Sequence, residues 1–110
     1  MERIVELGNL FDVYGSLLTK RQQTIFSQYI DEDCSLAEIS EREGISRQAV
    51  RDCISHCEEQ LLKYEQILRI INRREILSTN LDRIEKLMDG SPDIDRKLLG
   101  SILEETREIL

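Results

Sequence analysis

Apolar side chains return every three or four residues along the first part of the chain, the spacing of one buried face of an α-helix. The first stripe consists of Ile4, Leu7, Phe11, Tyr14 and Leu18. It predicts a helix from about Glu2 to Leu18. Capping boxes, in which a hydroxyl residue is followed three positions later by Glu or Gln, then predict two further helix starts. These boxes are Thr19 with Gln22 and Ser35 with Glu38, and Gly44 is expected to end the helix that follows Ser35.

A fourth helix carries the longest regular pattern in the chain. Ser46 is placed to cap it, and its apolar positions keep a 4-3 spacing over three heptads. They are Val50, Ile54, Cys57, Leu61, Tyr64, Leu68 and Ile71. The same spacing suits a seam packed inside one chain or a seam between two chains, so both interpretations stay open.

Beyond Ile71 the stripe is interrupted by residues 72–75, which predicts a bend, a break or a rotated face. Asp89 and Gly90 then predict a helix stop, and Ser91 and Pro92 a restart with Ser91 as N-cap and Pro92 as first helical residue. No strand pattern competes with these helices. The sequence therefore predicts one all-α domain over residues 1–110, with a helix-turn-helix at 35–57 and a helical C-terminal extension at about 78–110.

Composition narrows the classes of function. The 110 residues carry 22 acidic and 15 basic side chains, a net charge of −7 that works against indiscriminate binding to nucleic acid or anionic lipid. Aromatic residues make up only 5%, so few side chains are available to stack bases or flat cofactors. No apolar run approaches the roughly 20 residues of a membrane span, and the N-terminus lacks a signal-peptide core. We expect a cytoplasmic protein with no membrane insertion.

The helix that follows Ser46 has two chemically different faces. At about 100° per residue, the apolar and thiol side chains share one side, while Arg47, Gln48, Arg51 and Ser55 share the other. Arg can bind guanine bidentately and Gln can bind adenine, so the second side has the chemistry of a major-groove reader. A phosphate is expected near Ser46 at the positive end of the helix, and Lys20, Arg21 and Arg42 are candidates for further phosphate contacts.

Catalytic and metal sites are not expected. Cys53, His56 and Cys57 lie on one helix, but both thiols belong to the apolar side and His56 points away from them. Three cysteines without a spaced framework indicate reduced, buried thiols. No nucleophile stands beside His56, so we expect no enzyme activity, no cofactor, no metal and no small-molecule substrate.

Two adjacent segments carry a family resemblance. The first is SLAEIS at residues 35–40 and the second is GISRQAV at residues 44–50, with Leu18, Thr19 and Gln22 before them and residues 61–65 after them. With these segments, the chain resembles the YlxM family over roughly residues 1–75. That family looks like the promoter-reading helix-turn-helix of bacterial sigma factors, and its gene lies near those of the signal recognition particle GTPases. The resemblance implies a regulatory or accessory role in that pathway.

The sequence thus favours a DNA-binding regulatory protein that uses Arg47, Gln48 and Arg51. A homodimer through the fourth helix or the C-terminal helices would offset the weak affinity of an acidic monomer. The alternative is a protein-docking adaptor of the signal recognition particle that binds no DNA. Recognition of RNA ranks below both, because the deep, narrow major groove of A-form RNA does not admit a helix.

Overall fold

The computed structural model describes residues 2–89 and 95–109. Over these residues the chain forms six α-helices and one short 3-10 helix, which confirms the predicted all-α class. The α-helices are α1 (Glu2–Tyr14), α2 (Lys20–Ile30), α3 (Leu36–Glu43), α4 (Arg47–Leu68), α5 (Ile70–Asp89) and α6 (Arg96–Glu108).

Both predicted capping boxes are present. The Thr19 hydroxyl accepts from the Gln22 N–H at 3.2 Å, and the Gln22 side chain accepts from the Thr19 N–H at 2.9 Å. Ser35 and Glu38 repeat this reciprocal pair at 3.1 and 3.2 Å. The N–H of Ser35 lowers the pKa of the Glu38 carboxyl, because the bond favours its ionised form. These pairs satisfy helix-end N–H groups and fix where α2 and α3 begin.

The first helix is shorter than predicted. It ends at Tyr14, and the chain continues as a 3-10 helix over Gly15–Leu17. A Cβ added at Gly15 would lie 2.8 Å from the Phe11 ring, so this close approach requires glycine. Leu18, although outside the helix, is still buried, and the predicted apolar stripe therefore retains its last member.

The core of the first part of the chain forms around α4, which packs against α1, α2 and α3. Four members of its heptad stripe are buried within the same chain: Val50, Ile54, Cys57 and Leu61. This part of the stripe is therefore an internal seam. The end of α4 differs, since Leu68 is exposed.

The break that the sequence left unplaced lies at Arg69. This residue caps α4 in the left-handed conformation, with φ 54° and ψ 32°. The chain divides into two compact units between Arg69 and Ile70. Since the interruption in the apolar pattern begins only at residue 72, the pattern pointed slightly too late.

The second unit is a pair of helices, α5 and α6, that run in opposite directions. The Asn80 side chain donates to the Thr106 hydroxyl at 2.9 Å, and Arg83 pairs with Glu105 at 3.0 Å. Asp95 caps α6 by accepting from the N–H groups of residues 97 and 98. The predicted cap at Ser91 and the predicted first helical residue Pro92 lie outside the described residues.

Two glycines should respond to alanine in opposite directions. Gly44 has φ 67°, so Gly44→Ala should lower the free energy of unfolding by about 1–2 kcal/mol because a Cβ is disfavoured in the left-handed region. Gly100 lies inside α6 with open space around it, so Gly100→Ala should raise helix stability by about 0.5–1 kcal/mol. Urea unfolding followed by circular dichroism measures both. A Gly44→Ala protein as stable as wild type would contradict the assigned turn.

Candidate nucleic-acid interface

The turn between α3 and α4 is held by backbone and side-chain hydrogen bonds to Ser40. The N–H groups of Gly44 and Ile45 donate to the Ser40 carbonyl at 3.0 and 3.2 Å. The Ser40 hydroxyl donates to the Ile45 carbonyl at 2.5 Å. With Gly44 in the left-handed conformation, these bonds reverse the chain within a few residues, as a helix-turn-helix requires.

Ser46 caps the start of α4, as predicted. Its hydroxyl accepts from the Ala49 N–H at 3.0 Å. The N–H groups of Arg47 and Gln48 lie in the first turn, where an α-helix provides no backbone acceptor for them. The start of α4 therefore presents donors and the positive end of a helix dipole to its surroundings.

One side of α4 is exposed and rich in donors. Arg47, Gln48, Arg51 and Ser55 are all exposed, and we call these four side chains the α4 donor face. Val50 and Ile54, on the other side, are buried. Among the described residues, Arg47 and Arg51 enter no ion pair. Both guanidinium groups are thus available to a partner, in the arrangement that the helical periodicity predicted.

Gln48 is not equally available. Its amide donates to the Asp52 carboxylate at 2.8 Å, one helical turn further along α4. Gln and Asp four residues apart on an exposed helix often pair in this way, so the sequence contained a signal for this contact. The bond orients Gln48 and also places a negative charge beside the α4 donor face. A phosphate would be repelled there, whereas a base-edge donor would not.

The three predicted phosphate-contact residues differ in their surroundings. Lys20 and Arg21 are exposed in the first turn of α2, a helix that packs against α4. Arg42, on α3, is exposed but lies 3.5 Å from a Glu32 carboxylate oxygen and 3.3 Å from the Cys34 sulfur. A single exposed ion pair is weak, so Arg42 can exchange this partner for a phosphate at small cost.

Comparison with known proteins gives the family. A family model described as "UPF0122: Putative helix-turn-helix protein, YlxM / p13 like" matches residues 1–99. The chain belongs to the UPF0122 family. A UPF0122 protein of Clostridium perfringens (strain 13 / Type A) is 33% identical over 110 residues, which cover 100% of this chain and 98% of that protein.

Two other UPF0122 proteins show how far the similarity extends. The one from Mycoplasma capricolum subsp. capricolum is 40% identical over 105 residues, covering 96% of this chain and 88% of that protein. The one from Clostridium botulinum (strain Alaska E43 / Type E3) is 47% identical over 73 residues, covering 66% of this chain and 67% of that protein. These matches confirm the resemblance inferred from the segments around Ser35 and Ser46.

The thiols of this UPF0122 protein lie in or near the core. Cys34 and Cys57 are buried, whereas Cys53 is only half-buried, more exposed than the sequence indicated. Burial raises the pKa of Cys57 to about 12, so this thiol stays protonated and unreactive at neutral pH. Within residues 2–89 and 95–109, no three potential metal ligands of the His, Cys, Asp and Glu types come together.

Asp52 bonds to Gln48, and within the described chain no hydrogen bond joins it to His56. None of the helices described combines the length and the apolar character needed to cross a bilayer.

Proposed function

We propose that this UPF0122 protein is a DNA-binding regulatory protein that inserts the N-terminal part of α4 into the major groove. One observation carries the proposal: Arg47, Gln48 and Arg51 are exposed together in the first turns of a helix whose opposite side is buried. The second helix of a helix-turn-helix reads base edges with residues at this position.

The chemistry of these side chains suits base recognition. Each arginine can donate two hydrogen bonds to guanine, and Gln48 can pair with adenine once its bond to Asp52 is exchanged. Asp52 can in turn accept from the amino group of cytosine. Ser46, at the helix start, and Lys20 and Arg21, on α2, are the side chains that would contact the DNA backbone.

Net charge sets the expected strength of binding. The chain carries −7, and residues 35–57 carry four acidic against three basic side chains. A single copy should therefore bind weakly and lose affinity steeply as salt rises. A homodimer would engage two half-sites about one helical turn apart and so gain affinity without a more basic surface.

Removing the two arginines tests the proposal directly. Arg47→Ala and Arg51→Ala should each weaken binding about fivefold or more, since an arginine that reads a base contributes roughly 1–3 kcal/mol. The measurement is fluorescence anisotropy at low salt, using a labelled duplex selected by the wild-type protein from a random pool. The slope of log affinity against log salt should fall when a phosphate contact is lost and stay constant when only a base contact is lost.

Lys63→Ala is the matched control, because Lys63 is an exposed cation of the same helix far from its N-terminus. It changes the net charge as each arginine variant does and should leave binding nearly unchanged. Circular dichroism should show wild-type helicity in all three variants. Equal losses for Lys63→Ala and the arginine variants would mean that net charge, and not the α4 donor face, governs binding.

Failure of the wild-type protein to bind any duplex at low salt would refute the proposal. It would favour the adaptor interpretation, in which the helix-turn-helix docks to protein components of the signal recognition particle. Retention of those components on the immobilised protein after nuclease treatment would then be the expected result.

A further inference from the structure

Asp52 is the only acidic side chain in the first two turns of α4. It is exposed, and it follows Arg51 directly in the sequence. At about 100° per residue, it lies about 40° beyond Gln48, at the edge of the α4 donor face that is farthest from the buried Val50. A ligand that covers Arg51 and Gln48 together therefore also meets this carboxylate.

The carboxylate of Asp52 is held in place but not neutralised. Its Oδ1 atom accepts from the Gln48 amide at 2.8 Å. Among the described residues, no Lys, Arg or His forms an ion pair with it. A carboxylate offers about four acceptor positions, so one bond to an uncharged amide leaves its charge and most of its accepting capacity. Asp52 can thus accept a further hydrogen bond without losing Gln48.

Cytosine fits such a group better than the other three bases do. In the major groove, cytosine presents an amino donor and no acceptor, whereas guanine presents two acceptors and thymine presents one beside its methyl group. Adenine presents an acceptor next to its amino donor, and an ionised carboxylate, which can only accept, is repelled there. The neighbouring Arg51 is complementary to guanine. The two adjacent side chains therefore favour G·C pairs.

The bond between Gln48 and Asp52 strengthens the preference for cytosine over adenine. Reading adenine with Gln48 requires this bond to be exchanged. Reading cytosine with Asp52 keeps it, because the carboxylate has acceptor positions left over. The cytosine contact is therefore made by a side chain that is already oriented.

The charge of Asp52 also acts against phosphate. Arg47, Arg51 and the positive start of α4 attract the phosphates of DNA of any sequence. Asp52 lies five residues from Arg47, about 7.5 Å along the helix axis, within the Debye length of about 10 Å at 0.1 M salt. A phosphate bound to these arginines would therefore be repelled by the carboxylate.

Given the proposed function, on which this inference rests, we propose that Asp52 is a specificity-determining residue of the α4 donor face. It accepts from a cytosine amino group in the recognised duplex, and it repels the phosphates of duplexes that offer no such group at this position. The target site then contains a G·C pair where the second turn of α4 meets the major groove. Asp52 lowers the affinity for DNA in general and raises the preference for this site.

Asp52→Asn tests the inference, because it removes the charge while its carbonyl can still accept from Gln48. Fluorescence anisotropy at about 0.1 M salt compares the duplex selected by the wild-type protein with a shuffled duplex of the same composition. The variant should bind the shuffled duplex about three- to tenfold more tightly and the selected duplex no more tightly than wild type does. A new selection with the variant should replace cytosine by adenine at one position, since Asn binds adenine bidentately.

Glu59→Gln is the matched control. Glu59 is an exposed carboxylate on the same side of α4, seven residues beyond Asp52 and thus about 10 Å farther along the axis. Its substitution changes the net charge by the same amount and should raise the affinity for both duplexes equally, by less than about twofold. If Asp52→Asn lost helicity by circular dichroism, Asp52→Ala should show the same loss of preference without the gain of adenine.

A direct effect of Asp52 is separated from an effect through Gln48 by repeating the substitution in Gln48→Ala protein. The tighter binding of the shuffled duplex should persist there, and its disappearance would show that Asp52 only orients Gln48. An unchanged ratio of the two affinities in Asp52→Asn would overturn the inference and leave DNA binding by α4 intact. Wild-type protein that binds neither duplex refutes the proposed function, and this inference with it.

Discussion

Leu61→Asp is expected to unfold the first unit of the protein, residues 2–69. Leu61 is 0% exposed and belongs to the stripe along which α4 packs against the other helices. The substitution removes a buried aliphatic side chain and places a carboxylate at a position that water does not reach. A loss of about 4–5 kcal/mol or more is large against a total stability of about 5–15 kcal/mol. Circular dichroism and urea unfolding measure the loss.

The neighbouring residue provides the control. Leu62 is 44% exposed, so Leu62→Asp makes the same chemical change at a position that water already reaches. It should retain wild-type helicity and nearly wild-type stability. A Leu61→Asp protein that remained fully folded and only lost its ability to dimerise would contradict the internal seam and assign the α4 stripe to an interface between chains.

The helix starts could be predicted because their causes are local. Thr19, Ser35 and Ser46 each accept a hydrogen bond from an N–H three residues later, and a spacing of three is visible in any sequence. The stop at Gly44 is also local, since its φ of 67° suits a residue without Cβ. These signals do not depend on packing against distant parts of the chain.

The two helix ends that were not predicted depend on tertiary contacts or on backbone conformations that no residue type in the sequence indicates. At Gly15, the chain changes from α to 3-10 geometry where the Phe11 ring, four residues earlier, lies close to the glycine. That ring also packs against Phe26 of α2, with 5.1 Å between the centroids, a tertiary contact that local spacing does not reveal. At residue 69, an arginine adopts the left-handed conformation that glycine or asparagine usually adopts at a helix end. Nothing in the composition around residue 69 marks it as a helix cap.

The α4 donor face was predictable in outline, and its hydrogen bonding only in part. Periodicity alone separates Arg47 and Arg51 from the buried side of α4, because a helix places residues at fixed angles. The bond between Gln48 and Asp52 joins residues one turn apart and could have been anticipated. The contact of Arg42 with Glu32 and Cys34 crosses from α3 to the loop before it, and local spacing does not reveal such a contact.

Ile39→Ala is expected to cost about 2–5 kcal/mol of stability and, with it, most of the proposed DNA binding at physiological temperature. The short helix α3 buries one side chain fully, Ile39, and α3 packs against both α2 and α4. Truncation leaves a cavity where these helices meet, so the angle between α3 and α4 is no longer fixed by packing. Chemical unfolding gives the stability, and anisotropy against the selected duplex gives the binding, both as functions of temperature.

Ile45→Ala separates loss of folding from loss of contact. Ile45→Ala removes the same side-chain atoms as Ile39→Ala, but Ile45 lies in the turn and is only half-buried. This truncation should therefore cost roughly 1 kcal/mol of stability. If the α4 donor face binds DNA as a rigid element, affinity at low temperature, where both variants are folded, should fall more for Ile39→Ala than for Ile45→Ala. The salt dependence should be the same in both, because neither substitution alters a charge. Wild-type affinity in a destabilised Ile39→Ala protein would show that recognition tolerates a mobile α3, and that α4 alone carries the contact.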